Sequence, residues 1–223
     1  LYLALFAFTK VIRYPEPISA IKLGLAPASK TPVLMPFNTI EPADQRIAWQ
    51  TGSVQLPQVV NYGGDELTLD EFYQTTHTNA MLVIKDGKLV YEKYLNGFTK
   101  DNIFPTYSMA KTLTSIMIGQ LIQQGKLKES DTFVSIFPEY KVGTDFDKIT
   151  VKDLLDMRAG IGVSDNYPAG PTGWGVGIAQ LYASTDVAWW LHHNEKMWEA
   201  PGSKADYRST ETQMLGMIVK KIT

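Results

Sequence analysis

Ser108 and Lys111 are the residues of this chain whose types and spacing first suggest chemistry. They stand three apart at the start of an apolar-periodic stretch. A helix beginning at Ser108 would therefore put the hydroxyl and the ammonium on one face. A lysine so placed can activate a serine in the role a histidine plays elsewhere. A lysine in a first helical turn also opposes the helix dipole, which favours acids there, and the same position suits negative charge developing on the serine oxygen. The structural alternative is a Ser108 that only caps the helix and a solvated Lys111. A second Ser-x-x-Lys, Ser19 to Lys22, lies in a proline-rich stretch with no strong helix behind it and reads as coincidence.

A tyrosine is the second group that could move a proton here. Tyr-x-Ser/Asn occurs at Tyr94-Leu95-Asn96, Tyr182-Ala183-Ser184 and Tyr207-Arg208-Ser209. Tyr94 closes an expected strand and Tyr182 lies in an ordinary apolar run. Tyr207 follows Pro201-Gly202 and precedes a new helix, so its hydroxyl could project from a loop into a cleft; packing at a helix entry is the alternative. His77, His192 and His193 show no metal-ligand spacing. Gly173 to Gly177 does not follow a strand, which makes it a poor phosphate cradle. The reading calls for no metal and no cofactor.

The surrounding elements follow from local pattern. Ser108 to Gln124 is the strongest helix, closed by Gly125 and apolar on more than one face, so it is expected to be central and buried. Ala80–Lys85 and Lys88–Tyr94 flank Asp86-Gly87, a strong hairpin signal. Thr68 is expected to cap a short helix over 69–76, Thr150 one over 151–157, and Thr185 or Asp186 another. A helix starts at Ser209 or Thr210. Residues 165–177 read as a glycine-rich loop carrying Trp174. Strands followed by a long helical region indicate α+β.

Ordinary globular composition, 44% hydrophobic with a net charge of −2, gives no electrostatic case for nucleic acid. The lack of cysteine excludes disulfides, thiolate metal sites and a cysteine nucleophile. Residues 1–8 are almost wholly apolar and read as the tail of a membrane anchor or signal segment, with a short buried helix as the alternative. Residues 9–66, rich in proline, read as an extended arm, and 67–223 as the main domain. Anchoring implies an extracytoplasmic, bacterial-type location, against which the basic Lys10 and Arg13 argue mildly.

Ser108-Met109-Ala110-Lys111-Thr112, then Tyr207-Arg208-Ser209 followed by Glu211-Thr212-Gln213-Met214-Leu215-Gly216, resembles the serine hydrolases related to class C β-lactamases. That superfamily includes penicillin-binding DD-peptidases, certain esterases and 6-aminohexanoate oligomer hydrolases. The Asp86-Gly87 hairpin, Gly125 to Asp131, Phe137-Pro138-Glu139, Ile149 to Leu155 and Pro201-Gly202-Ser203 match as well, so the likeness covers roughly residues 65–223. The aromatic lead-in to Ser108 is closer to the esterase and aminohexanoate-hydrolase branch. Two features depart. The family's Ser-Gly-Leu is Ala159-Gly160-Ile161 here, and a third motif, on a late strand, has no counterpart before Thr223. The resemblance implies an antiparallel sheet flanked by helices plus a helical region, with the C-terminal strands of that fold missing from the chain.

The resemblance further implies Ser108 as nucleophile, Lys111 and Tyr207 as proton-transfer groups, Ser209 as a hydrogen-bond partner beside them, and Trp174 and Tyr107 as supporting or substrate-lining residues. Whether lysine or tyrosine is the base stays open. The function so implied is hydrolysis of a small-molecule ester or amide, a class that takes in β-lactams and short peptide-like amides, through an acyl-enzyme. The other reading is a non-catalytic or slowly acylating penicillin-binding or sensor-like domain of the same fold. A histidine-triad hydrolase is disfavoured because no Gly-x-Ser-x-Gly occurs.

Overall fold

The computed structural model describes residues 1–11, 13, 17–26, 34, 38–41, 44–45, 48–166 and 177–223. The chain divides into two compact units: Pro32–Pro105, and Leu1–Thr31 together with Thr106–Thr223.

The smaller unit carries five strands: β1 (Gln50–Thr51), β2 (Val59–Tyr62), β3 (Asp65–Thr68), β4 (Ala80–Lys85) and β5 (Lys88–Tyr94). β4 and β5 pair antiparallel from Ala80 opposite Tyr94 to Lys85 opposite Lys88. Asp86 and Gly87 turn the chain between them, both at positive φ, as a two-residue hairpin of matching twist requires. β1 joins the free side of β5 in parallel, so this sheet is mixed. Thr68 begins the helix Leu69–Thr75 with a capping box: its Oγ1 accepts from Glu71 N–H and its own N–H donates to the Glu71 carboxylate.

Residues 9–66 are more structured than the extended arm expected of them. A helix runs from Tyr2 to Val11, past residue 8, and a second spans Pro17–Leu25. Proline at a first helical position loses no hydrogen bond and already has the required φ. β2 and β3 form a further hairpin over Gly63-Gly64, two residues at positive φ. Among the described residues no helix is long and apolar enough to cross a membrane. The Tyr2–Val11 helix leaves Leu3, Phe8 and Val11 exposed and buries Thr9.

The larger unit is built on an aromatic centre. Phe133, from the short helix Phe133–Ile136, stacks on Phe137 at 4.9 Å and meets Tyr140 and Phe146 edge-on at 5.4 and 6.1 Å. Ile118 and Leu121 of the helix Ala110–Gln123, Leu154 of Val151–Leu155, Leu191 of Val187–His192, and Met214 and Ile218 of Ser209–Ile222 close around it. The caps are local. Thr150 and Asp153 form a second capping box, and Asp186 accepts from Trp189 N–H at 3.0 Å.

Two expectations about the Ala110–Gln123 helix need correction. It starts at Ala110, after one 3₁₀ turn over Tyr107–Met109, so Ser108 is not its N-cap and makes no capping bond. It is also not buried all round. Ile118 and Leu121 face the core, whereas Leu113, Ile116 and Met117 are exposed. An apolar residue offers a surface for packing; only a partner buries it.

Replacing Phe133, which has no solvent exposure, with alanine is expected to cost about 3–5 kcal/mol. The Thr150→Ala cap deletion is expected to cost about 1 kcal/mol. Urea denaturation measures both, with the order Phe133→Ala well above Thr150→Ala.

Candidate active site

The larger unit places Ser108, Lys111 and Tyr207 together. Lys111 donates from Nζ to Ser108 Oγ at 3.0 Å. Tyr207 donates its hydroxyl to the same oxygen at 2.7 Å. The ammonium also lies 5.0 Å from the centroid of the Tyr207 ring. A hydroxyl oxygen held by two groups that can each give or take its proton is the arrangement nucleophilic catalysis needs.

Ser108 owes its presentation to the residue before it. Tyr107 sits at φ 45°, in the left-handed region, which bulky side chains rarely adopt and which stores strain of order 1–3 kcal/mol. The reversal turns the chain into the 3₁₀ turn and leaves Ser108 at the surface, with Lys111 half-buried one turn on.

Tyr207 is set by backbone pairing. Ile161 bridges Met197, Gly162 N–H donates to Lys196 C=O, and Trp198 N–H to Gly160 C=O. Gly202 N–H then donates to Arg158 C=O, and Asp206 N–H to Met157 C=O. Gly160 lies at φ 74°, and a Cβ there would collide with the Glu199 carbonyl. Glycine is therefore required at the second position of Ala159-Gly160-Ile161, the segment where this sequence departs from Ser-Gly-Leu. Immediately after Tyr207, Arg208 pairs with Asp206 at 2.5 Å and lies over the Trp198 ring. Ser209 opens the next helix with its N–H on Asp165 Oδ1 at 2.8 Å.

Tyr207 is held below its ordinary pKa. Hydrogen bonding with Lys111 contributes most, then that with Ser108; partial burial and the charge of Asp165 act in the opposite direction.

A model of the Beta-lactamase family matches residues 69–223. The chain belongs to the beta-lactamase family. The 6-aminohexanoate-dimer hydrolase of Paenarthrobacter ureafaciens is 28% identical over 99 residues, which are 44% of this chain and 25% of that protein. A solved Bacillus anthracis structure, provisionally named as a 6-aminohexanoate-dimer hydrolase, superposes with a TM-score of 0.66 at 25% identity, covering 81% of this chain and 50% of its own. A Bacteroides dorei structure provisionally named a beta-lactamase shares the fold, with a TM-score of 0.51 at 17% identity over 69% of this chain and 44% of its own. The chain thus spans a quarter of the length of the curated relative and half that of the Bacillus structure.

Against the α+β, beta-lactamase-like expectation the fold agrees. Of the other residues singled out in this family member, Trp174 lies outside the described residues, and Tyr107 is exposed beside Ser108. Ser209 donates to Asp165 Oδ2 at 2.6 Å and accepts from the Tyr182 hydroxyl at 2.9 Å. Tyr182, passed over as part of an apolar run, and Asp165 are therefore members of the site that sequence reasoning missed. Neither stands at a fixed spacing from Tyr207 that a motif could reveal.

Glu211, one turn beyond the tyrosine, is fully buried and accepts from Ala159 N–H at 3.3 Å. Burial pushes its carboxyl up to about 8, against the Ala159 hydrogen bond and the charge of Arg208. The folded state thus keeps a proton that the unfolded chain releases near 4.5. Stability from this group is complete below the unfolded value and falls as pH rises toward 8. Glu211→Gln is expected to melt above the wild type at pH 9, with the gap closing toward pH 5, as followed by calorimetry.

Proposed function

We propose that the protein is a serine hydrolase that cleaves an ester or amide through an acyl-enzyme on Ser108. The observation that supports this is the convergence of the Lys111 ammonium and the Tyr207 hydroxyl on one exposed serine oxygen, at 3.0 and 2.7 Å. The lowered Tyr207 favours the phenol as base, with Lys111 supplying the positive charge that sustains the phenolate. In this reading Tyr207 takes the Ser108 proton as Oγ bonds to the substrate carbonyl carbon. The tetrahedral intermediate places its negative charge at the Ser108 backbone N–H, a donor of the kind worth about 10²–10³ in rate. Tyr207 then protonates the departing alkoxide or amine as its bond to carbon breaks. Water, deprotonated by Tyr207, then attacks the acyl carbon, and Tyr207 returns that proton to Ser108 Oγ as the acyl C–O bond breaks, releasing the acid and restoring Ser108.

The relatives named as 6-aminohexanoate-dimer hydrolases support short linear aliphatic amides as substrates to test beside simple esters. The exposed apolar Tyr2–Val11 helix supports membrane-proximal attachment in the same proposal.

The test is a fluorophosphonate probe followed by intact-mass and peptide mapping, on the protein at its full natural length. One adduct on Ser108 is expected, lost in Ser108→Ala. With p-nitrophenyl esters, Lys111→Ala and Tyr207→Phe are each expected to lower kcat by about 10²–10⁴. The wild-type kcat/KM is expected to rise with pH through a midpoint below the ordinary tyrosine value. A stoichiometric burst without turnover would overturn hydrolysis in favour of a slowly acylating binding domain.

A further inference from the structure

Behind the tyrosine stands a polar chain that the proposed mechanism does not use. Asp165 holds Ser209 through both carboxylate oxygens: Oδ1 takes the backbone N–H at 2.8 Å and Oδ2 the hydroxyl at 2.6 Å. Tyr182, from the helix Gly177–Ala183, adds its hydroxyl to Ser209 Oγ at 2.9 Å. Ser209 is buried, Asp165 is half-buried and Tyr182 is largely exposed. The serine oxygen thus donates once and accepts once, and the carboxylate takes two donors from a single residue.

This arrangement has two effects. The first is mechanical. Ser209 is two residues from Tyr207, and a bidentate clasp on its N–H and Oγ fixes both the start of the helix and the direction of the segment before it. A charge-assisted pair of this length is among the stronger hydrogen bonds a protein makes. The second effect is electrostatic. Tyr207 meets charge from two sides: Lys111 from the Ala110–Gln123 helix and Asp165 from its loop. On its own segment Asp206 and Arg208 neutralise one another, and the fully buried Glu211 points instead at Ala159.

We propose that Asp165 is the positioning residue of this site: it clasps Ser209 so that the Tyr207 hydroxyl is delivered to Ser108, and its negative charge offsets that of Lys111 at the phenol. The proposal rests on the reading of Tyr207 as a proton-transfer group. Asp165 touches no reacting atom. Its charge also makes the phenol harder to ionise, as the smallest of the influences on it.

Three variants separate the two effects. Asp165→Asn keeps the shape and one acceptor oxygen, removes the charge and turns the second acceptor into a donor. Asp165→Ala removes both, and Ser209→Ala removes the hydroxyl bonds while leaving the N–H. The readout is NMR titration of protein labelled with [¹³Cζ]tyrosine, in which Tyr207→Phe identifies the Tyr207 signal; it needs no turnover. In Asp165→Asn the Tyr207 midpoint is expected to fall below the wild type, because an opposing negative charge is gone. The rising limb of kcat/KM for p-nitrophenyl esters is expected to move to lower pH with it. Asp165→Ala is expected to lose about tenfold or more in kcat, the scale of a misplaced proton-transfer group, with KM within about twofold, and Ser209→Ala to lose less.

A Tyr207 midpoint that is unchanged or higher in Asp165→Asn overturns the proposal. So does an Asp165→Ala protein whose kcat stays within about twofold of wild type. If Asp165→Ala fails to fold, the isosteric Asp165→Asn titration decides alone. Absence of a Ser108 adduct in the wild type would strike the hydrolase reading, and the tyrosine titration would still decide the electrostatic part.

Discussion

The site depends on the backbone pairing between residues 157–162 and 196–206. Each bond in that run, from Gly162 on Lys196 to Asp206 on Met157, sets the height at which the chain arrives at Tyr207. At Gly160 the two segments are so close that only a residue without a Cβ clears the Glu199 carbonyl. Ala159 belongs to the same segment and anchors to Glu211 from below. The Ser108 oxygen is placed by a separate device, the left-handed Tyr107 and the turn that follows it. The two meet within 2.7 Å, so small shifts in either would open the contact.

Charge is distributed around this contact with economy. Among the described residues, the Lys111 ammonium stands at the phenol and the charge of Asp165 acts on it in the opposite direction. The remaining charges nearby are removed from the reckoning, Asp206 by Arg208 and Glu211 by burial that favours its protonated form. In a half-exposed site the phenol responds first to its hydrogen bonds with Lys111 and Ser108, and least to the charge of Asp165. That is a different arrangement from an imidazole oriented by a buried acid, and its net effect is to hold the phenol below its ordinary pKa.

What could be read from sequence was local. Asp86-Gly87 between alternating strands, Thr68 with Glu71, Thr150 with Asp153 and Asp186 before its helix are all short-range signals, and each element forms where its signal lies. Gly63-Gly64 carried the same kind of signal and was hidden by the prolines around it. Ser108 and Lys111 share one turn, so their pairing was legible as spacing, and Tyr207 through its motif. Asp165 and Tyr182 reach Ser209 across 44 and 27 residues, and only the packing of the whole unit brings them there. The exposure of Leu113 and Ile116 is a fact of the same kind: hydropathy states what a residue prefers, and the neighbours decide what it receives.

The Tyr207–Ser108 bond closes across 99 positions of chain. A loop of that length carries an entropic cost that no single hydrogen bond repays. The contact therefore exists only when the core between its ends has already formed. The Tyr207–Ser108 geometry is thus a property of the cooperative folded state. A compact intermediate that retained its helices but had lost side-chain packing would keep both Ser108 and Tyr207 and still lack their contact, so under the proposed mechanism reactivity at Ser108 would report on completed folding as sharply as on chemistry.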